Sequence, residues 1–234
     1  MNNKALVLSS GGLDSSVCVG LAVDMFGSEN VSTVSVFYGQ KHDKELKCAE
    51  EIANHYGVGH YVLNLSEIFK FSNCSLLKSS DKDVPDGEYA DQIDTAENGM
   101  VSTYVPFRNG LMLSAVASLA GSIYPDDNVD IFIGAHADDS AGSAYADCSE
   151  EFTQAMRLAI SIGTYKQVTV VAPFVNMTKA EVVAIGHSLN VPFEKTWSCY
   201  KGGDKACGTC GTCLDRLKAF RLNNLEDPIE YEEF

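Results

Sequence analysis

Short apolar runs alternate with longer amphipathic stretches along this chain. ALVL (5–8), VSTVSVF (31–37), HYVLNL (60–65), VDIFIGA (129–135) and VTVVAP (168–173) predict five strands. Between them SSVCVGLAVDMF (15–26), DKELKCAEEIANHY (43–56), EEFTQAMRLAISIG (150–163) and TKAEVVAIGHSLN (178–190) predict helices, the last opened by a Thr cap. Leu46, Ala49, Ala53 and Tyr56 fall on one face of the second. RNGLMLSAVASLAG (108–121) is apolar nearly all round and predicts a buried helix. Strands alternating with helices predict an α/β fold, a Rossmann-like doubly wound parallel sheet that binds ligands beyond the carboxyl ends of its strands. Ser66 to Tyr104 breaks the alternation, and its polar, irregular sequence predicts a lid or substrate-facing loop.

Composition narrows the function. The chain has 234 residues, enough for one large domain with an appendage and for a core that needs no disulfides. Seventeen basic against 32 acidic side chains leave a net charge of −15, which argues against phosphate-led nucleic-acid binding. The N-terminus lacks the apolar stretch of a signal peptide and no run approaches the roughly 18 residues of a membrane span, so a soluble, cytoplasmic protein is expected. Four of the eight cysteines crowd into Cys199-x7-Cys207-x2-Cys210-x2-Cys213. Four thiolates among glycines suit one structural, tetrahedral zinc, although an iron–sulfur cluster uses the same ligands. The adjoining CLDRLKAF predicts a helix that packs through Leu214, Leu217 and Phe220.

The first strand leaves through SSGGLDSS at 9–16. Glycines between strand and helix permit a tight turn that aims N–H groups outward, and the helix start adds partial positive charge, so an anion is the natural guest. Neither Gly-Lys-Ser/Thr nor G-x-G-x-x-G occurs. Instead Ser10-Gly11-Gly12-Leu13-Asp14-Ser15 resembles the S-G-G-x-D-S loop of ATP pyrophosphatases, which split ATP between its α and β phosphates to adenylate a carbonyl oxygen. That resemblance implies nucleotide binding by Ser9, Ser10, Gly11, Gly12, Leu13, Asp14, Ser15 and Ser16, with Asp14 either a magnesium ligand or a helix-start anchor. An ordinary helix cap is the plain alternative.

Further clusters follow the other strands: Tyr38-Gly39-Gln40-Lys41-His42 with Glu45-Leu46, Val105-Pro106-Phe107-Arg108-Asn109, Gly134-Ala135-His136, Tyr145-Ala146-Asp147-Cys148, Thr178-Lys179-Ala180-Glu181 and Trp197-Ser198-Cys199-Tyr200. In this order, from position 8 to about 220, they resemble the 7-cyano-7-deazaguanine synthase (QueC) family. The resemblance implies an adenine nucleotide alpha hydrolase-like fold, with a pyrophosphatase domain at 1–195 and a zinc-binding segment at 196–234. It also implies ATP-dependent conversion of 7-carboxy-7-deazaguanine and ammonia to the nitrile, through an acyl adenylate and an amide. ATP, Mg2+ and one Zn2+ are the expected cofactors, and a homodimer without membrane or direct nucleic-acid contact the expected assembly.

On this resemblance Lys179, Arg108 and Asp14 are the catalytic candidates, the first two stabilising charge around the phosphates and the activated carboxyl group. Tyr38, Gln40, Arg108, Asn109, Tyr145 and Asp147 are the substrate-binding candidates, with the Asp147 carboxylate set against the guanine-like edge. Cys148 is a candidate nucleophile. Phe107, Ala146 and Ser149 stand where Gly, Pro and Arg are usual, and the loop at 134–148 is longer than in many members. A ligase handing the deazaguanine acid to another amine, a tRNA modifier sharing the G-H-x-x-D-D pattern at 134–139, and a non-catalytic nucleotide sensor are the competing functions.

Overall fold

In a computed structural model that describes residues 3–95, 100–140 and 145–232, the alternation becomes one parallel sheet. In chain order the elements are β1 (Asn3–Leu8), α1 (Leu13–Phe26), β2 (Val31–Phe37), α2 (Lys44–Tyr56), β3 (Gly59–Asn64), α3 (Ser66–Phe69), α4 (Tyr89–Thr95), α5 (Arg108–Ile123), β4 (Asn128–Phe132), α6 (Ala137–Ser140), α7 (Glu150–Gly163), β5 (Val168–Val171), α8 (Lys179–Ser188) and α9 (Gly211–Leu222). The strand order is β3-β2-β1-β4-β5, every pair parallel. The order reverses between β1 and β4, and their carboxyl ends therefore open the crevice where such sheets bind ligands.

Side-chain alternation along β1 assigns the two faces. Ala5 and Val7 enter one core with α1, α8 and α9, whereas Leu6 enters the other with Leu113, Val116, Ala117 and Ala120 of α5 and Ile160 of α7. Two expected boundaries move. The fourth strand ends at Phe132, not 135, because Gly134 lies against the α1 start, where a Cβ would sit 3.0 Å from Asp14 C and Ser15 N. The helix expected to reach 190 ends at Ser188, with Asn190 at φ 54°, while its start has the full Thr178–Glu181 capping box.

Three expectations about packing are corrected. α5 is not buried all round: Ser114, Ser118 and Ser122 form an exposed seam whose hydroxyls bond back to the carbonyls of Gly110, Ser114 and Ser118 at 2.8, 3.2 and 2.8 Å. The stretch 66–104 contains α3 and α4, and its Phe69, Cys74, Leu76 and Leu77 form a small core with Val36, Tyr38, Val105 and Met112, so its described part is packed structure. Positions 96–99 lie outside the described residues, as does the centre of the 134–148 loop. In α9 the buried face runs through Cys213, Arg216, Ala219 and Phe220, leaving Leu214 and Leu217 half-buried. Phe220 is buried as expected, but the apolar spacing left out Arg216, whose partners lie outside the helix. The guanidinium is fully buried, bidentate to Asp227 at 2.7 and 2.9 Å, and donates also to Thr196 Oγ1 and Phe193 O.

Candidate active site

The crevice at the switch point is a cleft of about 1160 Å³ measured out to its mouth. Three levels of sequence converge on it: the turn after β1, the residues after β2 and β4, and the segment leading into α9. Of the expected nucleotide-binding residues, Ser9, Ser10, Gly12, Asp14 and Ser15 line it. Gly11, Leu13 and Ser16 shape the turn from behind. Gly11 adopts φ +82°, and a Cβ there would overlap the Glu45 carbonyl oxygen and lie 2.7 Å from Ala49 N. Leu13 is buried in the core, and Ser16 Oγ donates to Gly12 O at 2.7 Å.

The turn is ready for an anion. The cap residue of α1 is Gly12, which offers no side-chain oxygen, so the first N–H groups of this 14-residue helix have no side-chain cap. Ser10 N donates to Ser15 Oγ at 3.2 Å, and Gly12 N to Ser10 Oγ at 3.2 Å, which holds the hydroxyls at the cleft floor. Ser9 Oγ is buried there without a hydrogen-bond partner among the described residues. Unpaired buried polar atoms are costly and a ligand offsets that cost.

Beside the turn stands a charge cluster that sequence motifs had left scattered. Lys179 Nζ lies 2.9 Å from Asp14 Oδ2 and 3.1 Å from His136 Nε2, and His136 Nε2 is 3.3 Å from Asp139 Oδ1. Burial opposes ionisation of Asp14, but Lys179 and His136 overcome it and hold the carboxyl well below the usual range. Burial likewise opposes charge on Lys179, and Asp14 and Asp139 more than restore it, so the ammonium persists at neutral pH. Asp14 Oδ1 is buried without a partner among the described residues. A hard carboxylate oxygen free in this way, with the partly exposed Asp139 nearby, fits a hard cation such as magnesium.

Across the cleft, Tyr38, Gln40, Arg108, Asn109 and Tyr145 also line the wall. Arg108 is stacked over Tyr38, 5.4 Å from the ring centroid. Gln40 Oε1 accepts from Tyr38 N at 2.9 Å, and the Tyr145 hydroxyl pairs with Thr103 Oγ1 at 2.6 Å, so both arrive partly committed. Asp147 is placed otherwise than expected. It does not line the cleft, because its Oδ2 accepts from Asn109 N at 2.9 Å and its carbonyl from Asn109 Nδ2 at 3.1 Å, an anchor for the start of α5. Cys148 lines the cleft, but burial pushes its thiol well above its usual value, a poor setting for a nucleophile.

The departures at 107 and 149 have local roles. Phe107 sits at φ 53°, a left-handed position where glycine is at ease, and rests edge-on against Phe152 at 5.8 Å. Ser149 caps α7, accepting from Phe152 N at 3.2 Å, and lies outside the cleft lining. His136, Asp139, Glu45 and Tyr200 line or border the cleft without having been assigned roles. Their signal was position immediately after β2 and β4 or beside the cysteine cluster.

The thiols of Cys199, Cys207, Cys210 and Cys213 all lie within 4.8 Å of one another and are buried. Cys207 N points to Cys199 Sγ and Cys210 N to Cys207 Sγ, each at 3.4 Å, the donors a thiolate cluster requires. Such a set fits a closed tetrahedral zinc site. Trp197 Nε1 donates to Cys199 O, and Trp197 N to Gly11 O at 2.9 Å, which ties the thiol loop to the phosphate-binding turn.

Sheet, switch point and turn together define the class: an α/β protein of the PP-loop ATP pyrophosphatase type. The family model described as queuosine biosynthesis protein QueC matches residues 4–224, and the chain belongs to that family. Its relatives include a 7-cyano-7-deazaguanine synthase of Thermoplasma acidophilum, 41% identical over 99% of this chain and 93% of that protein. Proteins of the same name from Pseudoalteromonas translucida and Caldicellulosiruptor saccharolyticus are 38% and 41% identical, over 99% and 98% of this chain and 100% and 96% of theirs.

Proposed function

We propose that the chain is an ATP-dependent carbon–nitrogen ligase that converts 7-carboxy-7-deazaguanine and ammonia to 7-cyano-7-deazaguanine, in queuosine and 7-deazapurine biosynthesis. The observation that carries the proposal is identity of 41% with a synthase of that name across nearly the whole of both chains. The uncapped start of α1 and the buried Lys179 support it by supplying a phosphate site beside a fixed positive charge.

In this mechanism the α1 start, Ser10 and Ser15 receive the pyrophosphate end of ATP, and Lys179 stays protonated against the phosphates through Asp14. Asp14 would hold magnesium, which supplies charge neutralisation on the phosphates. The substrate carboxylate attacks the α-phosphorus, releasing pyrophosphate and leaving an acyl adenylate whose carbon is attackable. Ammonia displaces AMP to give the amide. A second ATP then activates the amide oxygen, and departure of AMP with loss of the remaining nitrogen protons yields the nitrile. Arg108, half-buried and charged, lies where it can offset negative charge on the activated carboxyl group.

Zinc at the four cysteines has a structural role in this proposal, holding the Trp197–Cys199 segment against the turn. The pyrophosphatase domain (1–195) and zinc-binding segment (196–234) fold against each other through α8 and α9, and Phe193 meets Phe220 edge-on at 5.2 Å between ring centroids. A homodimer is supported by the exposed apolar row Leu158, Ile162 and Tyr165 on and after α7. No helix among the described residues is long and apolar enough to cross a membrane, and a cytoplasmic site of action is proposed, with none of the eight cysteines in a disulfide. The test is mass spectrometry of products from the purified protein with ATP, magnesium, ammonium and the acid. Nitrile with AMP and pyrophosphate is expected; an amide that accumulates as end product refutes the synthase in favour of a ligase.

A further inference from the structure

One carboxylate in the cleft is left without a partner. Glu45 stands in the first turn of α2, whose backbone is locked against the phosphate-binding turn by the close approach of Gly11 to the Glu45 carbonyl. Its side chain lines the cleft with Val36, Tyr38, Leu46, Arg108, Met112 and Tyr200. It makes no hydrogen bond and no ion pair within the described protein, and Arg108 is its one favourable charge. Burial raises its carboxyl to about 7 in spite of Arg108.

The other carboxylate and amide side chains near the cleft are each held by an internal donor, and the unpaired atoms Ser9 Oγ and Asp14 Oδ1 belong to the phosphate-binding turn. Asp14 Oδ2 is held by Lys179, Asp139 by His136, Gln40 Oε1 by Tyr38 N and Asp147 Oδ2 by Asn109 N. A deazaguanine acid presents two adjacent donors, a ring N–H and an exocyclic amine, on a flat apolar body. Val36, Leu46 and Met112 supply apolar wall, Tyr38 and Tyr200 supply rings, and Glu45 offers both carboxylate oxygens uncommitted to any donor among the described residues. We propose that Glu45 reads the base: its carboxylate accepts the ring N–H and the exocyclic amine, which makes it the residue that selects a 2-amino base. This rests on the proposed function and names the recognition element of the same site.

The test is calorimetric binding of 7-carboxy-7-deazaguanine, and of its analogue lacking the exocyclic amine, to the wild-type chain and to Glu45→Gln, with ATP binding measured in parallel. A carboxamide of the same shape presents a donor where the second acceptor oxygen stood, so it meets two donors with one acceptor. Wild type is expected to prefer the amino compound by about tenfold or more, the usual weight of a charged hydrogen bond. Glu45→Gln is expected to lose that preference while its ATP affinity stays within about twofold, because the isosteric side chain leaves the Glu45 main chain packed against Gly11 and so leaves the phosphate-binding turn unchanged. Equal discrimination by wild type and variant overturns the proposal. So does unchanged affinity for the acid with a fall in kcat alone, which would make Glu45 a proton-transfer group. Glu45→Asp, which keeps the charge on a shorter arm, is expected to retain the preference at reduced affinity, and full loss there together with loss of ATP binding would mark a structural role instead. Failure of the wild type to bind either acid while it still binds ATP defeats the substrate assignment itself, a distinct outcome.

Discussion

Replacing Gly11 by alanine isolates what the phosphate-binding turn requires of its backbone. Two effects add. At φ +82° an L-residue is strained by about 1 kcal/mol relative to glycine. The new Cβ would also overlap the Glu45 carbonyl oxygen and come within 2.7 Å of Ala49 N, both main-chain atoms of α2 that no rotamer change can move. Overpacking of this kind costs about 1–3 kcal/mol. The sum is about 2–4 kcal/mol, and at roughly 2–4 °C per kcal/mol for a chain of this size the Tm falls by about 4–16 °C. Gly57→Ala is the matched control. It has φ +65° at the end of α2 with nothing within 4 Å of the added methyl, so only the strain remains, worth about 2–4 °C. Differential scanning calorimetry reads both variants. Pyrophosphate release from ATP reads the site, where Gly11→Ala displaces the α2 start and loses activity and Gly57→Ala keeps it. Equal Tm losses in the two variants would refute the claim that the close approach of α2, and not φ alone, dictates glycine at 11.

The remaining predictions address charge, metal and fold. Lys179→Met removes the cation that holds Asp14 ionised, and should cut pyrophosphate release by about 100-fold or more in a steady-state phosphate assay, the scale of one electrostatic group on a transition state. Because the Glu45 carboxyl titrates near 7 and its ionised form is the acceptor, affinity for the deazaguanine acid should rise with pH from about 6 to 8 and stay flat above. The facing groups keep one form there: Tyr38 is pushed up to about 12 and Cys48 to about 11 by burial, Tyr200 is well above its usual value, and Arg108 stays charged; Glu45→Gln should abolish the slope. Arg216→Met leaves Asp227 buried with its charge uncompensated, a loss of about 3–5 kcal/mol, read as a Tm fall on the order of 6–20 °C. Cys210→Ser should lower bound zinc per chain, read by elemental mass spectrometry, and destabilise the Trp197–Cys199 segment.

How much of this was legible in the sequence depends on whether the information was local. The strands and main helices were, since a short β-branched run or a 3.6-residue stripe records its own burial, and VSTVSVF and EEFTQAMRLAISIG became β2 and α7 with their expected ends. α5 shows where local reading stops. Its three serines satisfy their hydroxyls on the helix itself, so they face water without disturbing an otherwise apolar pattern. Arg216 shows the same limit in reverse, because its partner Asp227 lies eleven residues on, past the end of α9, and nothing within the helix announces it.

The site follows that logic. The turn at 9–16 was legible because one strand, one turn and one helix start are contiguous, and the chemistry of an anion site is written within them. The rest of the cleft is assembled by topology. Lys179 meets Asp14 across 165 positions only because β1 and β4 are neighbours in the sheet and α8 follows β5 back beside α1. The carboxylate for the base illustrates the consequence. The resemblance favoured Asp147 as the carboxylate against the two-donor edge of the base, but the start of α5 needs an anion for Asn109 N and takes that side chain. Glu45, quoted with the Tyr38–His42 cluster but given no role, is brought by the β2–α2 connection to the cleft wall and makes no hydrogen bond there among the described residues. A carboxylate that burial raises to about 7, with no donor among the described residues, is disfavoured in its charged form by the fold alone, and under the proposed reading a ligand with two donors offsets that cost.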